Sequence, residues 1–241
     1  MHTIHAFVIS WPGQEENAER IANQALGVAE HVTVLHSCED ADRLPERPGW
    51  IQLPMAEFYG AKFARSLAMN RGDVMLHLHA DARTGDWAQV IRHCREVHDS
   101  VANVGIWGCD LHFTPFPTEE VCIGAADAQV VAVAQTDAVV WSLSAPVLER
   151  LRGLDLSLTP LGWGIDWAAI SFCVANGLLV LRDCRVKLEH PRGTGYDRAE
   201  AERQMLRFLQ QLTPAEQVAR VLLQRHIAFS RRLLGRPAAG L

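Results

Sequence analysis

Along the first eighty residues, short apolar runs alternate with segments whose apolar positions recur every three or four residues. Residues 4–11 form an apolar run closed by Pro12-Gly13, which predicts a buried first strand. Over residues 15–26, Ala18, Ile21, Ala22 and Ala25 share one face of a helix. A second strand is predicted at 31–36, followed by the polar cluster Ser37-Cys38-Glu39-Asp40, and a brief third at 50–54. Residues 58–69 read as a helix stopped by Asn70-Arg71-Gly72-Asp73, and 74–79 as another apolar strand. Such alternation predicts a parallel sheet covered by helices, an α/β fold. Ligands in these sheets sit beyond the carboxyl ends of the strands. Ser10-Trp11, the 37–40 cluster and residues 79–83 all fall there.

The second half is less regular. Strands are expected at 103–109, 129–134 and 139–143, with 110–118 a loop or edge because of Pro115 and Pro117. A short helix follows at 144–151, a second opens at Gly162-Trp163-Gly164-Ile165-Asp166, and residues 178–181 and 185–188 are strand-like. Residues 197–212 are helical. Thr213-Pro214-Ala215-Glu216 is a capping box with proline at the first helical position, starting a last helix that runs to about residue 234. No repeat or low-complexity linker divides the chain.

Hydrophobic residues make up 49% and charged residues 21% of the 241, a globular balance able to bury a large core. The longest stretch free of Asp, Glu, Lys and Arg covers 167–181, 15 residues. That is short of the ~20 needed to cross a bilayer. The N-terminus shows no basic segment or small-residue cleavage site, so a cytoplasmic protein is expected. Six cysteines without C-x-x-C spacing predict reduced, mostly buried thiols. The net charge of −5 is uneven: residues 1–197 carry 15 basic and 25 acidic groups, residues 198–241 carry 8 arginines and 3 glutamates. An acidic body argues against nucleic acid. The basic tail is either a solvated helix face or a peripheral contact with an anionic lipid head group at the inner face of the membrane, or with a partner.

Three constellations could carry chemistry. In His77-Leu78-His79-Ala80-Asp81, strand geometry puts His77, His79 and Asp81 on one face, and imidazole with carboxylate suits zinc or manganese. A strand histidine is more often a packed side chain, but a carboxylate at the strand's end has little structural purpose, so Asp81 is the stronger candidate. In Leu161-Gly162-Trp163-Gly164-Ile165-Asp166-Trp167, the glycines admit a ligand close to the backbone. Trp163 and Trp167 offer indoles that stack on sugar faces, and Asp166 is either a base or a first-turn dipole partner. In the stretch from Lys187 to Tyr196, a strand ends on His190 and enters a Gly-rich loop with Arg192, Thr194 and Tyr196. That loop is either a diphosphate cradle or a surface turn.

In this order along the chain, the blocks resemble inverting, family 2-like GT-A glycosyltransferases. Residues 60–81 look like that family's helix, turn and strand leading into its D-x-D motif. Leu161-Gly162-Trp163-Gly164-Ile165-Asp166 is similar to its Gly-Trp-Gly-x-(Glu/Asp)-Asp acceptor stretch, and His190 matches its late metal-binding histidine. The resemblance covers about residues 4–197. It implies a GT-A domain over 1–197, with a mixed, mostly parallel sheet flanked by helices, and a helical extension over 198–241 packed on the same domain.

It also implies a metal-assisted transfer from a nucleotide-diphosphate sugar to a glycan, lipid or small-molecule hydroxyl. Asp81 and His190 would hold Mn²⁺ or Mg²⁺, which offsets charge on the leaving nucleotide. Asp166 would be the base of a single displacement with inversion. Trp163, Gly164 and Trp167 would face the acceptor. Ser10, Glu39, Asp40, Arg65, His79, Arg192 and Tyr196 would line the donor. The sequence departs from the family at His79, where the motif has its first aspartate, and at Ile165, which leaves one carboxylate in the acceptor stretch. Two rival readings follow: a non-catalytic nucleotide-sugar-binding protein, and a metal-dependent hydrolase built on His77, His79 and Asp81.

Overall fold

Alternation along the first strand sorts its side chains between two helical layers. In the computed structural model, which describes residues 1–39, 47–112, 129–191, 195–233 and 235, β1 (Ile4–Ser10) sends Phe7 and Ile9 to one face and Ala6 and Val8 to the other. β4 (Val74–His79) repeats the division, with Met75 on the first face and Val74, Leu76 and Leu78 on the second. The helices α2 (Tyr59–Met69), α4 (Ala145–Arg152), α5 (Ile165–Ala175) and α7 (Pro214–Leu233) pack on the first face. Two cover the second, α1 (Glu15–Ala25) and α3 (Trp87–Ser100).

The remaining strands are β2 (His31–Cys38), β3 (Trp50–Pro54), β5 (Val104–Leu111), β6 (Val130–Ala132), β7 (Val140–Ser144) and β8 (Leu179–Leu188). The eight form one sheet in the order β3-β2-β1-β4-β7-β5-β8-β6. β1 to β4 are mutually parallel, and so are β5 and β8. β7 runs antiparallel to β4 and β5, so its first residues share an edge with the carboxyl ends of β1, β4, β5 and β8. That edge holds the candidate site.

The predicted α/β class and most of its elements are present, with three differences. α3 was not anticipated; Asp86 caps it by accepting from the Gln89 N–H at 2.8 Å. Residues 178–181 and 185–188 belong to one strand, β8, whose register against β5 slips between Cys109 and Asp110. Asp110 and Leu111 extend β5, and residues 113–118 lie outside the described residues. At the other end of the chain, α6 (Arg198–Phe208) passes through a 3₁₀ turn, Leu209–Gln211, into α7. Phe208, Leu209, Leu212, Leu223 and Ile227 join the same core as Phe7 and Met75. Among the described residues, Cys38, Cys94, Cys109, Cys173 and Cys184 form no disulfide, and no helix is long and apolar enough to cross a membrane.

Candidate functional site

His77 and His79 follow Met75 onto the face covered by α2. His77 lies deeper, 1% exposed, with its ring 5.0 Å from Phe63 and its Nδ1 3.4 Å from the Tyr59 hydroxyl. His79 sits at the rim, 5.0 Å from the Tyr59 ring and 6.2 Å edge-on from Trp11.

After β4 the chain turns, held by Ala80 N–H to Ile9 O (2.9 Å) and Ala82 N–H to His79 O (3.1 Å). Arg83 and Glu189 then exchange backbone hydrogen bonds of 2.8 and 3.0 Å. This small antiparallel bridge joins the turn after β4 to the end of β8. It carries Asp81 to His190, Nε2 lying 3.4 Å from Asp81 Oδ2. His79, Asp81 and His190 each then offer one ligand atom, all within 4.8 Å of one another. His77 is outside the group.

The electrostatics suit a cation. Burial pushes His79 down to about 4, so its imidazole is neutral with a free lone pair at neutral pH. Burial pushes the Asp81 carboxyl up, but the hydrogen bond from His190 and the charges of both histidines outweigh it and hold the group below the usual range. His190 moves the other way: burial lowers it, and Asp81 more than restores it. His79 Nε2 and Asp81 Oδ1 are buried without a hydrogen-bond partner. Orphaned polar atoms of this kind are costly unless a ligand satisfies them. Two imidazole nitrogens and a carboxylate oxygen are a donor set that manganese and similar divalent ions accept. The residues present therefore fit a bound divalent cation.

The 159–164 loop brings the second constellation alongside. Gly60 N–H donates to Pro160 O at 2.9 Å, docking the start of α2 on this loop. Gly162 (φ +85°) lies against Tyr59, leaving no room for a side chain. Gly164 adopts φ +91° as the N-cap of α5, a left-handed conformation that glycine takes without strain. A Cβ there would come within 2.9 Å of Met205. Asp166 follows in the first turn of α5, half-buried, its Oδ2 accepting from Gln135 Nε2 at 3.3 Å. Burial, reinforced by the charge of Asp137, pushes its carboxyl up to about 6. Trp163 donates its indole N–H to the Tyr196 hydroxyl at 2.7 Å, so these two predicted residues also meet.

The other expected residues are dispersed. Ser10 is fully buried, with its Oγ 3.0 Å from His36 Nδ1. Arg65 is committed to Glu57 by two 2.6 Å bonds. Glu39 is exposed beyond β2. Asp40 and Arg192 lie outside the described residues. Trp167, the third residue after Gly164, is 7% exposed and part of the core, so it shows little of the open indole face that stacking on a sugar needs.

Three residues at this edge escaped the sequence reading. Lys62, 3% exposed, donates to Ser10 O at 2.6 Å, and burial pulls it down to about 8. Its signal was available, a lysine on the apolar face of a predicted helix. Gln135 and Asp137 are 1% and 8% exposed in the segment that enters β7, and they appear in sequence only as polar residues between two apolar runs.

No family model matches the sequence, and no curated protein matches it. Solved structures do. A mannosyltransferase from Pyrobaculum calidifontis, in complex with GDP-Man and Mn²⁺, aligns with 99% of this chain and 77% of its own at TM-score 0.55 and 10% identity. Glucosyl-3-phosphoglycerate synthase from Mycobacterium tuberculosis, in complex with Mn²⁺, UDP and phosphoglyceric acid, aligns with 86% of this chain and 77% of its own at TM-score 0.57 and 13% identity. GalNAc-T7, with UDP, GalNAc and Mn²⁺, aligns with all of this chain (100%) and 52% of its own at TM-score 0.66 and 9% identity. At such identities the likeness is one of fold. The chain has the GT-A fold of these glycosyltransferases.

Proposed function

We propose that this chain is a metal-assisted glycosyltransferase that moves a sugar from a nucleotide-diphosphate donor to an acceptor hydroxyl. One observation carries the reading: a His79–Asp81–His190 cation cluster and an Asp166 carboxyl raised to about 6 share the ligand-binding edge of a GT-A sheet. Mn²⁺ or Mg²⁺ held by those three ligands would neutralise charge on the leaving diphosphate. His79 replaces the aspartate of D-x-D without loss of a ligand atom, since its imidazole is neutral. Asp166 takes the acceptor proton, oriented by the Gln135 amide, and a carboxyl with this elevated proton affinity is better suited to general-base work than an ordinary aspartate. Inversion by single displacement follows from a base acting on the acceptor with no second nucleophilic carboxylate needed. Trp163 and Gly164 belong to the acceptor wall, Ser10, Glu39 and Tyr196 to the donor side. Residues 1–197 constitute the catalytic unit, and 198–241 an extension packed on it.

The hydrolase alternative is disfavoured because His77 sits outside the cation cluster. The non-catalytic alternative is disfavoured because Asp166 keeps a base's environment. Calorimetric titration with UDP and GDP, with and without Mn²⁺, tests the proposal. Binding should require the metal and weaken tenfold or more in Asp81→Ala. No nucleotide affinity under any metal condition ends the glycosyltransferase reading.

A finer reading concerns partners. The exposed face of α7 carries Val218, Leu222, Phe229 and Leu233 beside Arg225 and Arg232, which supports contact with an anionic lipid surface at the inner face of a membrane.

A further inference from the structure

The segment between β6 and β7 buries three consecutive polar residues, Gln135, Thr136 and Asp137, which are 1%, 2% and 8% exposed. It is pinned at both ends, by Val133 N–H to Val180 O at 2.9 Å and by His79 N–H to Val139 O at 3.0 Å. Thr136 fills the space left by the missing side chain of Gly108. The β4–β7 ladder pairs Leu78 with Val140, so the chain preceding β7 runs back alongside Ala80 and Asp81.

The segment that carries Asp137 therefore borders the candidate site. The negative charge of Asp137 raises the proton affinity of Tyr59 from α2, Asp166 from α5, His190 beyond β8 and Tyr196 before α6. In the chain it falls between Gln135, whose amide is bonded to Asp166, and Val139, whose carbonyl accepts from His79 N–H, and it is not one of the three residues whose ligand atoms group for a metal. Beside it, the Oε1 of Gln135 is buried without a hydrogen-bond partner, while the Nε2 of the same amide is engaged by Asp166.

On the glycosyltransferase reading above, the diphosphate sits at His79, Asp81 and His190, and the acceptor hydroxyl sits at Asp166. The hexose being transferred must occupy the space between them. We propose that Asp137, with the Oε1 of Gln135, binds the hydroxyl groups of the donor sugar and so sets donor specificity. A carboxylate accepts hydrogen bonds from two vicinal hydroxyls, and a buried amide oxygen accepts a third. Buried acceptors discriminate strongly between a sugar that supplies those hydroxyls and one that does not.

The test compares nucleoside diphosphates with nucleotide sugars, using full-length protein with Mn²⁺. UDP, GDP, UDP-glucose, UDP-GalNAc and GDP-mannose are titrated into the wild type, Asp137→Asn and Asp137→Ala. The diphosphates should bind all three within about twofold, whereas the preferred nucleotide sugar should lose about tenfold in Asp137→Ala and less in Asp137→Asn. The amide variant keeps the shape of the side chain and guards against a folding defect, with melting temperature as control. If affinity for diphosphate and nucleotide sugar falls equally, or neither changes, Asp137 is not a sugar-binding residue and the glycosyltransferase reading stands. If the acceptor KM alone rises, the hydroxyls it binds are the acceptor's and the donor assignment is overturned. If the wild type binds no nucleotide at all, the underlying reading fails and this proposal with it.

Discussion

Burial, and after it the charge of Asp137, pushes the Asp166 carboxyl up to about 6, and this has consequences for both rate and stability. The folded state binds the Asp166 proton more tightly than the unfolded state does. Stability therefore falls as pH rises from the ordinary aspartate range to about 6, and the loss is complete at pH 7. Its size is at most about 3 kcal/mol. Asp166→Asn removes that penalty and keeps an oxygen for Gln135, so it should raise the melting temperature at pH 7. The same change should lower turnover by about 10²–10⁴ through loss of the base while donor affinity holds. Wild-type turnover should fall on the acid side with a midpoint near 6. Turnover that survives in Asp166→Asn removes the residue as base. Asp81 and Asp166 stand out in the sequence as candidates, the first because an aspartate just beyond an apolar strand has little structural purpose, the second because after paired glycines it is either a base or a first-turn dipole partner. Gln135 and Asp137 were not, because their significance comes from neighbours 31 and 53 residues away in sequence, Asp166 and His190.

Among whole elements, legibility follows how local the determining interaction is. The capping box at the start of α7 is local and forms as expected, with Thr213 N–H to Glu216 Oε2 at 2.7 Å and Glu216 N–H to Thr213 Oγ1 at 3.3 Å. What the sequence hid is the second use of Glu216, which is 2% exposed and takes two bonds of 2.6 and 2.8 Å from Arg150 on α4. The sequence predicts two strands where β8 lies because Arg182, Asp183 and Cys184 interrupt its apolar run. It continues because the buried Asp183 is satisfied by its neighbour Arg185 at 2.7 Å and by Trp107 at 3.2 Å, the latter a partner that only the folded sheet supplies. α3 escaped because Arg92, His93, Arg95 and Glu96 dilute its apolar stripe of Trp87, Val90, Ile91, Cys94 and Val97. The two roles of Glu216 can be separated by denaturant unfolding. Thr213→Ala, which removes only the cap, should cost about 1 kcal/mol. Arg150→Ala, which strands a buried carboxylate, should cost about 3–5 kcal/mol. Burial pushes Glu216 up, but Arg150 and Thr213 outweigh it and hold the group below the usual range. The clamp is therefore at full strength at neutral pH and is lost as pH falls through the folded-state value. Equal costs for the two variants would mean that α4 and α7 are not joined through this pair.

For the whole molecule, charge and apolar surface divide in the same direction. Residues 1–197 carry 15 basic and 25 acidic groups, a balance of −10, while residues 198–241 carry 8 and 3, a balance of +5. α7 buries Ala219, Leu223 and Ile227 against the core and leaves a second apolar stripe facing solvent: Val218 at 59%, Leu222 at 56%, Phe229 at 57% and Leu233 at 71% exposed. An open apolar groove of about 460 Å³, lined by Val174, Pro214, Val218 and Leu222, adjoins it. A second copy of the chain would set Arg225 and Arg232 against their own symmetry mates, whereas an anionic bilayer meets both the arginines and the apolar side chains. The acidic body would then be repelled away from the lipid, which orients the molecule with α7 down. Wild-type protein should therefore sediment with vesicles containing about a third anionic lipid and remain free of neutral ones. The binding should weaken in high salt, since each surface arginine contributes about 1 kcal/mol. Leu222→Ser with Phe229→Ser should lower vesicle affinity at least tenfold through lost apolar contact, and Arg225→Glu with Arg232→Glu should abolish the preference for anionic lipid. Neither pair touches the candidate site, so nucleotide binding should be unchanged in both. Dimers in sedimentation velocity that dissociate in the serine variant, with no vesicle binding by the wild type, would assign this face to a second copy of the chain instead.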